Sequence, residues 1–409
     1  MNKRFILFFI LITNFYFSQN VNIPDVNFKN HLLGIPEINL NGDNEIQVSE
    51  ANSFSGILTL TDKDINDLSG IEHFISLQYL YCNKNNLKRL DLTKNKNLII
   101  VRADQNQLEE INVTKLTELT VLSFTSNLIT AIDLTTNLKL KTLSCRFNNL
   151  TTLNLDNNLN LTSIDVQNNK LTSLDLSNNK LITDLWCSSN LLSSLNLSFV
   201  ELLKTLDCSN NNLISLDISK NKNLVNLFCS NNKLTELTTS QNIMLKNLGC
   251  TNNEIKELDL SKNINLETIF VLENKLLFLN IANGNNNIIK NFSSIFNPSL
   301  LCINIDQNFT PPTDGTWSKD SNSNYNTNCF LKTEELQNSN IEIFPNPVFD
   351  YIHIKVNSNN IRVNILDLTG KLVLKSTSKK VFVGNLPKNI YMIQVKTDGR
   401  TYNKKIIKK

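Results

Sequence analysis

Leu161-Thr162-Ser163-Ile164-Asp165-Val166-Gln167-Asn168-Asn169-Lys170-Leu171-Thr172-Ser173-Leu174-Asp175-Leu176, closed by a short polar turn, is one unit of the pattern that decides the fold. Its asparagine recurs every 21 residues without a break: Asn85, Asn106, Asn127, Asn148, Asn169, Asn190, Asn211, Asn232, Asn253 and Asn274. Five places earlier stands an apolar residue in every unit, from Leu80 to Ile269. Two places later stands a Leu or Ile, from Leu87 to Leu276. A fixed period of about 20–30 residues marks coils that stack on one another. Each coil is too short to bury its own apolar side, so its neighbours must cover it. Most of the chain is therefore a surface for contact rather than a pocket for chemistry.

The unit L-x-x-L-x-C-x-x-N-x-L-x-x-L-D-L resembles the leucine-rich repeat, over roughly residues 56–290. The resemblance implies a right-handed coil per repeat, each giving one strand to a parallel sheet on a concave face. The expected fold is a β-rich solenoid: a leucine-rich repeat horseshoe of about ten 21-residue coils with N- and C-terminal caps. The asparagine column reads as structural. It stands where the chain turns out of the strand, and its amide can both donate to and accept from the backbone of adjacent coils. Cys82, Cys145, Cys187, Cys208, Cys229 and Cys250 share an inward column. Thiols stacked at the inter-strand spacing of about 4.8 Å read as small buried hydrophobes. Their parallel Cβ vectors suit a disulfide poorly. The column inside L-D-L alternates acid and neutral, as Asp91, Asn112, Asp133, Asn154, Asp175, Asn196 and Asp217. That alternation separates like charges and reads as a structural edge ladder.

Outside the repeat, Met1 to Ser18 reads as a secretory signal (residues 1–18), with Lys3 and Arg4 before an apolar run too short to span a bilayer. Residues 19–55 read as an N-terminal cap. Val26 to Leu33 has helical spacing, with Gly34 as a stop. The stretch Asn39 to Glu50 then resembles an EF-hand or dockerin-type loop. The resemblance implies a weak calcium site built from Asn39, Asn41, Asp43, Glu45, Gln47 and Glu50, with a metal-free loop of the same shape as the alternative. No other cofactor is expected. Residues 291–333 read as a C-terminal cap and linker. There Cys302 and Cys329 are expected to pair, since an exported protein meets an oxidising environment.

From residue 334 to 409 the period changes to alternation, with turns between short runs, which predicts a small antiparallel β-sandwich. Phe344-Pro345-Asn346-Pro347, Leu366-Asp367-Leu368-Thr369-Gly370-Lys371, Gly384-Asn385-Leu386-Pro387 before Ile390-Tyr391, and a Lys-rich end resemble the C-terminal sorting domain of type IX secretion in Bacteroidetes. The resemblance implies that residues 334–409 dock the export machinery and that the protein is secreted or held at the cell surface.

Net charge is +3, unevenly spread. Residues 341–409 carry 13 Lys and Arg against 4 Asp and Glu, a net of +9, and residues 19–340 carry −8. A mildly acidic solenoid argues against nucleic acid. The chain's three histidines, His31, His73 and His353, share no module, and no catalytic or metal-spaced constellation occurs, so no enzyme is expected. Binding is placed on the strand column between the two inward positions. Unlike the other columns it is not uniform: Tyr81, Arg102, Asp165, Trp186, Asp207, Phe228 and Phe270 stand in it. Trp186, Asp207 and Phe228 are the expected centre, with Gly249 beside them making room. The architecture resembles internalin-like bacterial adhesins. The reading is an exported, non-catalytic recognition or adhesion protein for a protein or glycan. A structural cell-envelope component and a carbohydrate-binding accessory protein are the alternatives.

Overall fold

Leu161, Ile164, Val166, Leu171 and Leu176 of one coil are all buried, and the same phases are buried in coil after coil. Each such side chain contributes about 1.5–3 kcal/mol when removed from water. It does so only because the next coil lies over it. In the computed structural model, which describes residues 19–329 and 341–409 except 357, 359, 368–370 and 398–399, this stacking produces one long parallel sheet. The signal-like segment 1–18 lies outside the described residues. The chain divides into two compact units, Met1–Cys329 and Phe330–Lys409.

The sheet of the first unit has thirteen strands among the described residues, from Ile57–Thr59 to Trp317–Ser318. Neighbours pair in parallel with a 21-residue shift, as in Ile164 with Leu185, Leu185 with Leu206 and Leu206 with Leu227. Stacking continues past the last asparagine of the 21-residue ladder. Strand Asn291–Ser293 pairs on Thr268–Phe270, and Trp317–Ser318 pairs on Asn291–Ser293. Shorter parallel ladders form on the L-D-L side, including Arg89–Asp91 with Glu110–Asn112.

Asparagine joins the coils. Asn169 accepts from Leu150 N–H at 3.0 Å and donates to the carbonyls of Cys145 at 3.0 Å and Val166 at 3.1 Å. Asn297, 23 residues beyond Asn274, makes the same three bonds, to Leu276 N–H, Val271 O and Ser294 O. A second ladder lies in the polar turns. Asn137, Asn158, Asn179, Asn221, Asn242 and Asn263 are buried. Each donates to two carbonyls of the preceding coil, as Asn158 does to Leu134 at 3.1 Å and Asn137 at 3.0 Å. The residue before every asparagine of the 21-residue ladder is left-handed, with φ between 51° at Glu273 and 57° at Ser126. The acid/neutral column closes turns. Asp133, Asp175 and Asp217 accept from the backbone N–H two residues on, each at 2.9 Å.

Both ends of the stack are covered. At the start, helix α1 (Val26–Leu33), capped by Asp25, buries Phe28 and Leu32, and helix α2 (Val48–Ser53) follows the loop. At the end, Trp317 packs against Phe292, Phe309 and Tyr325, with centroids 4.9, 5.1 and 5.8 Å away. Cys302 and Cys329 are joined by a disulfide across this cap.

The second unit is two antiparallel sheets around one core. Glu342–Phe344, Tyr351–Lys355 and Lys380–Phe382 form one; Leu372–Ser376, Ile361–Leu366, Asn389–Thr397 and Arg400–Lys408 form the other. Ile343, Ile352 and Ile354 meet Val363, Ile393, Val395 and Ile406 inside. The Phe-Pro-Asn-Pro segment is tied down by its asparagine. Asn346 accepts from Ile407 N–H at 2.8 Å and donates to Lys405 O at 2.9 Å.

Candidate functional site

Strand alternation sends Leu185 inward and leaves Asp184 and Trp186 on the solvent face, and most coils do the same, Gly249 and Ser293 being covered. The face carries Tyr81 beside Arg102 near its start. Further along, Asp165, Trp186, Asp207 and Phe228 stand on four successive strands, in direct register. Phe270 stands two strands beyond Phe228, with Gly249 between. Phe228 and Phe270 are 39% and 40% exposed, so two large rings face solvent on a sheet whose other side is dry. All seven sequence-selected positions thus share one face, and Tyr81 and Arg102 stand apart from the group centred on Trp186. Gly249 does not open room beside Phe228. A Cβ there would meet Phe228 Cδ1 at 3.2 Å, so the ring leans over the glycine and fills the space itself.

The sequence missed the residue that organises the centre. Gln167 Nε2 donates to Ser188 Oγ at 2.6 Å and reaches two coils onward to Asp207 Oδ2 at 2.8 Å. Asp207 Oδ1 also accepts from Ser209 N–H at 3.1 Å. Asp165 Oδ1 accepts from Gln167 N–H at 3.2 Å, and Arg146 Nε stands 3.7 Å from Asp165 Oδ2. Burial, with Asp207 nearby as a further cause, pushes the Asp165 carboxyl above its ordinary value against those bonds and Arg146. Asp184 Oδ2 accepts from Thr183 Oγ1 at 2.7 Å. Nearer the start, Asp104 accepts from Thr125 N–H at 2.7 Å and from the Ser123 hydroxyl. No feature of the 21-residue period marks Gln167, because its role depends on a side chain two coils away.

The inward cysteines stand one per coil and are buried as free thiols. Burial pushes Cys82 and Cys250 up to about 12, so neither offers a thiolate at neutral pH.

The loop of residues 39–50 is closed by its own side chains. Asp43 Oδ2 accepts from Asn41 Nδ2 at 2.8 Å and Gln47 Nε2 at 2.9 Å. Both oxygens of Glu50 are engaged by backbone N–H groups. Oε1 takes Leu40 and Asn41 at 2.9 and 3.3 Å, and Oε2 takes Gln47 at 2.9 Å. Glu45 pairs with Lys29 at 2.7 Å. Asn39 Oδ1 alone is buried without a partner. The set does not fit a calcium ion as arranged, because amide hydrogens rather than oxygens face Asp43 and Glu50 is committed to the backbone. Among the described residues no group of three or more His, Cys, Asp or Glu is placed to hold a metal ion.

Residues 342–409 match the family model of the secretion system C-terminal sorting domain. That domain marks the chain for export by type IX secretion, to the cell surface or the medium. Among solved structures, the chain is similar to the functional domain of InlJ from Listeria monocytogenes, which includes a cysteine ladder. Identity is 23%, the TM-score is 0.63, and the match covers 96% of this chain and 98% of that one. The internalin InlF from Listeria monocytogenes matches at 16% identity and a TM-score of 0.52, over 74% of this chain and 95% of that one. The leucine-rich repeat domain of APL1B matches at 20% identity and a TM-score of 0.52, over 62% of this chain and 78% of that one. No curated protein sequence matches the chain. The chain is thus a leucine-rich repeat solenoid with a C-terminal sorting domain of type IX secretion. Among the described residues no helix is long and apolar enough to cross a membrane.

Proposed function

We propose that this is an exported, non-catalytic recognition protein that binds a protein partner through the concave face of its sheet, around Trp186. One observation carries the reading. Large rings at Trp186, Phe228 and Phe270 stand on alternate strands of a solvent-facing sheet, with Asp207, oriented by fixed hydrogen bonds, between the first two and Gly249 between the last two. Aromatic side chains held on rigid strands are the residues from which binding hot spots are built. Among the described residues Trp186 is the one indole on this face, and Phe228 leans over Gly249, few rings for a glycan stacking platform, which favours a protein partner. The test is a screen of the full chain against extracellular proteins and glycan arrays, beside a Trp186→Ala, Phe228→Ala variant of matched melting curve. A protein hit lost in the variant supports the reading, and a hit that persists removes it.

A structural envelope role is the second reading. Leu138 with Leu159, and Ile243 with Ile264, share one phase of the polar turns and are 50–54% exposed, two apolar pairs suited to lateral packing on either side of Lys180, Glu201 and Lys222. For the 39–50 loop the reading is a cap that keeps its shape without a cation. Calcium would have to turn Asn41 and Gln47 and release Glu50 from three N–H groups.

A further inference from the structure

Beyond the proposed use of this face, its chemistry narrows the partner. Over the six strands from Ser163–Asp165 to Thr268–Phe270, the three outward columns run from Ser163 to Leu272. They hold Asp165, Asp184 and Asp207 and no Lys or Arg. Arg146, one strand earlier, stands 3.7 Å from Asp165 and over the ring of Phe147. Lys204 and Lys246 stand just before their strands, outside these columns. Lys246 is taken up by Glu267 at 3.6 Å.

The three carboxylates surround one indole. Asp165 and Asp207 are Trp186's register partners on either side, and Asp184 is two residues before it on the same strand and the same face. Their bonds come from neutral donors: Gln167 and Ser209 to Asp207, Gln167 N–H to Asp165, Thr183 to Asp184. At Asp184 and Asp207 those contacts fix direction without neutralising charge, while Asp165 already has Arg146 Nε 3.7 Å away. Each carboxylate keeps acceptor sites free, since two oxygens offer about four. An indole face adds its own attraction for a cation.

We propose that the centre of this face is a cation-recognition site, which takes an arginine or lysine side chain from a basic segment of a protein partner against Trp186 and between Asp165 and Asp207. The inference rests on the concave-face reading and adds the charge of the partner to it. The same carboxylates disfavour acidic proteins, phosphate groups and acidic glycans.

The experiment titrates the full chain with octa-arginine, and with hexaglutamate as the opposite charge, while following tryptophan emission. Trp317 is buried in the C-terminal cap, so the response at Trp186 is isolated by difference from a Trp186→Phe variant. The expected result is a saturable change with octa-arginine alone, weakening steeply with salt. Asp165→Asn, Asp207→Asn, which keeps the side-chain shape and one acceptor oxygen at each site, should weaken it at least tenfold in a variant whose melting curve is matched to wild type. No saturable change, an equal response to hexaglutamate, or an Asn/Asn variant that binds like wild type overturns the proposal. The two readings fail separately. A partner lost in Trp186→Ala, Phe228→Ala but retained by the Asn/Asn variant keeps the concave face and removes the cation site. A partner indifferent to both variants removes both.

Discussion

Asn169 occupies one position in a 21-residue coil, yet its amide bonds four main-chain groups in two coils. Leucine there would leave Leu150 N–H unpaired in a dry interior and take one of two donors from the carbonyls of Cys145 and Val166, which keep Asn148 and Asn190. Each unpaired group costs about 1–3 kcal/mol. Asn169→Leu is therefore expected to destabilise the solenoid by about 1–3 kcal/mol, read as a lowered denaturant midpoint. Phe147 offers the opposite case. It holds φ 54°, where a bulky residue is strained, and its ring is half exposed. Asn168, Asn210, Asn231 and Asn252 fill the same phase in other coils, and asparagine tolerates that conformation. Phe147→Asn should stabilise by about 1 kcal/mol, seen as a raised melting temperature. The first asparagine column was legible because one residue type fills it. The left-handed column before it was not, since Lys, Gln, Ser, Phe, Asn and Glu all occur there. The second ladder was hidden by its breaks at Leu116 and Val200.

At the scale of the element, the turns after L-D-L and the N-terminal loop make separate predictions. Bonds from Thr135, Ser177 and Ser219 hold the carboxyls of Asp133, Asp175 and Asp217 below their ordinary value of 3.8. A carboxyl depressed on folding stabilises the fold above its unfolded value, and the gain is lost as pH falls through the folded one. Melting followed from about pH 5 to about pH 2.5 should therefore fall more for wild type than for Asp133→Asn, Asp175→Asn, Asp217→Asn. Asparagine already closes the alternate turns, as Asn154 does for Asp156 N–H at 2.8 Å. For the loop, Asp43→Ala should lower the melting temperature equally in calcium and in chelator. A calcium-dependent rise in wild type, absent in that variant, would restore the metal site. The spacing of Asn39 to Glu50 made the loop's shape readable. It could not show that Glu50 turns to the backbone, because either use fits the same sequence.

Across the whole molecule, the order of parts was legible: coils, caps and a C-terminal β unit differ in period. The length of the stack was less so, since the strands at Asn291 and Trp317 follow no 21-residue step and Asn297 sits 23 residues after Asn274. A solenoid is only as stable as its ends allow, because each coil packs chiefly on its neighbours. The Cys302–Cys329 disulfide, with a sequence separation of 27, ties the terminal cap. Closing a loop of that length contributes about 3–4 kcal/mol on the chain-entropy model. Reductant should lower the melting temperature of wild type and leave a Cys302→Ser, Cys329→Ser variant unaffected. The proposed recognition face was half legible. Its column could be picked out for variability, while Gln167's reach to Asp207 and Phe228's cover over Gly249 needed the strands in place.

The most direct test of the recognition claim is the affinity of the full chain for its screened protein partner, compared with that of Trp186→Ala, Phe228→Ala. The account predicts a loss of about a hundredfold or more, as expected when two aromatic hot-spot residues are truncated, with melting unchanged. An affinity within about a factor of two of wild type would contradict it and move the function off this face.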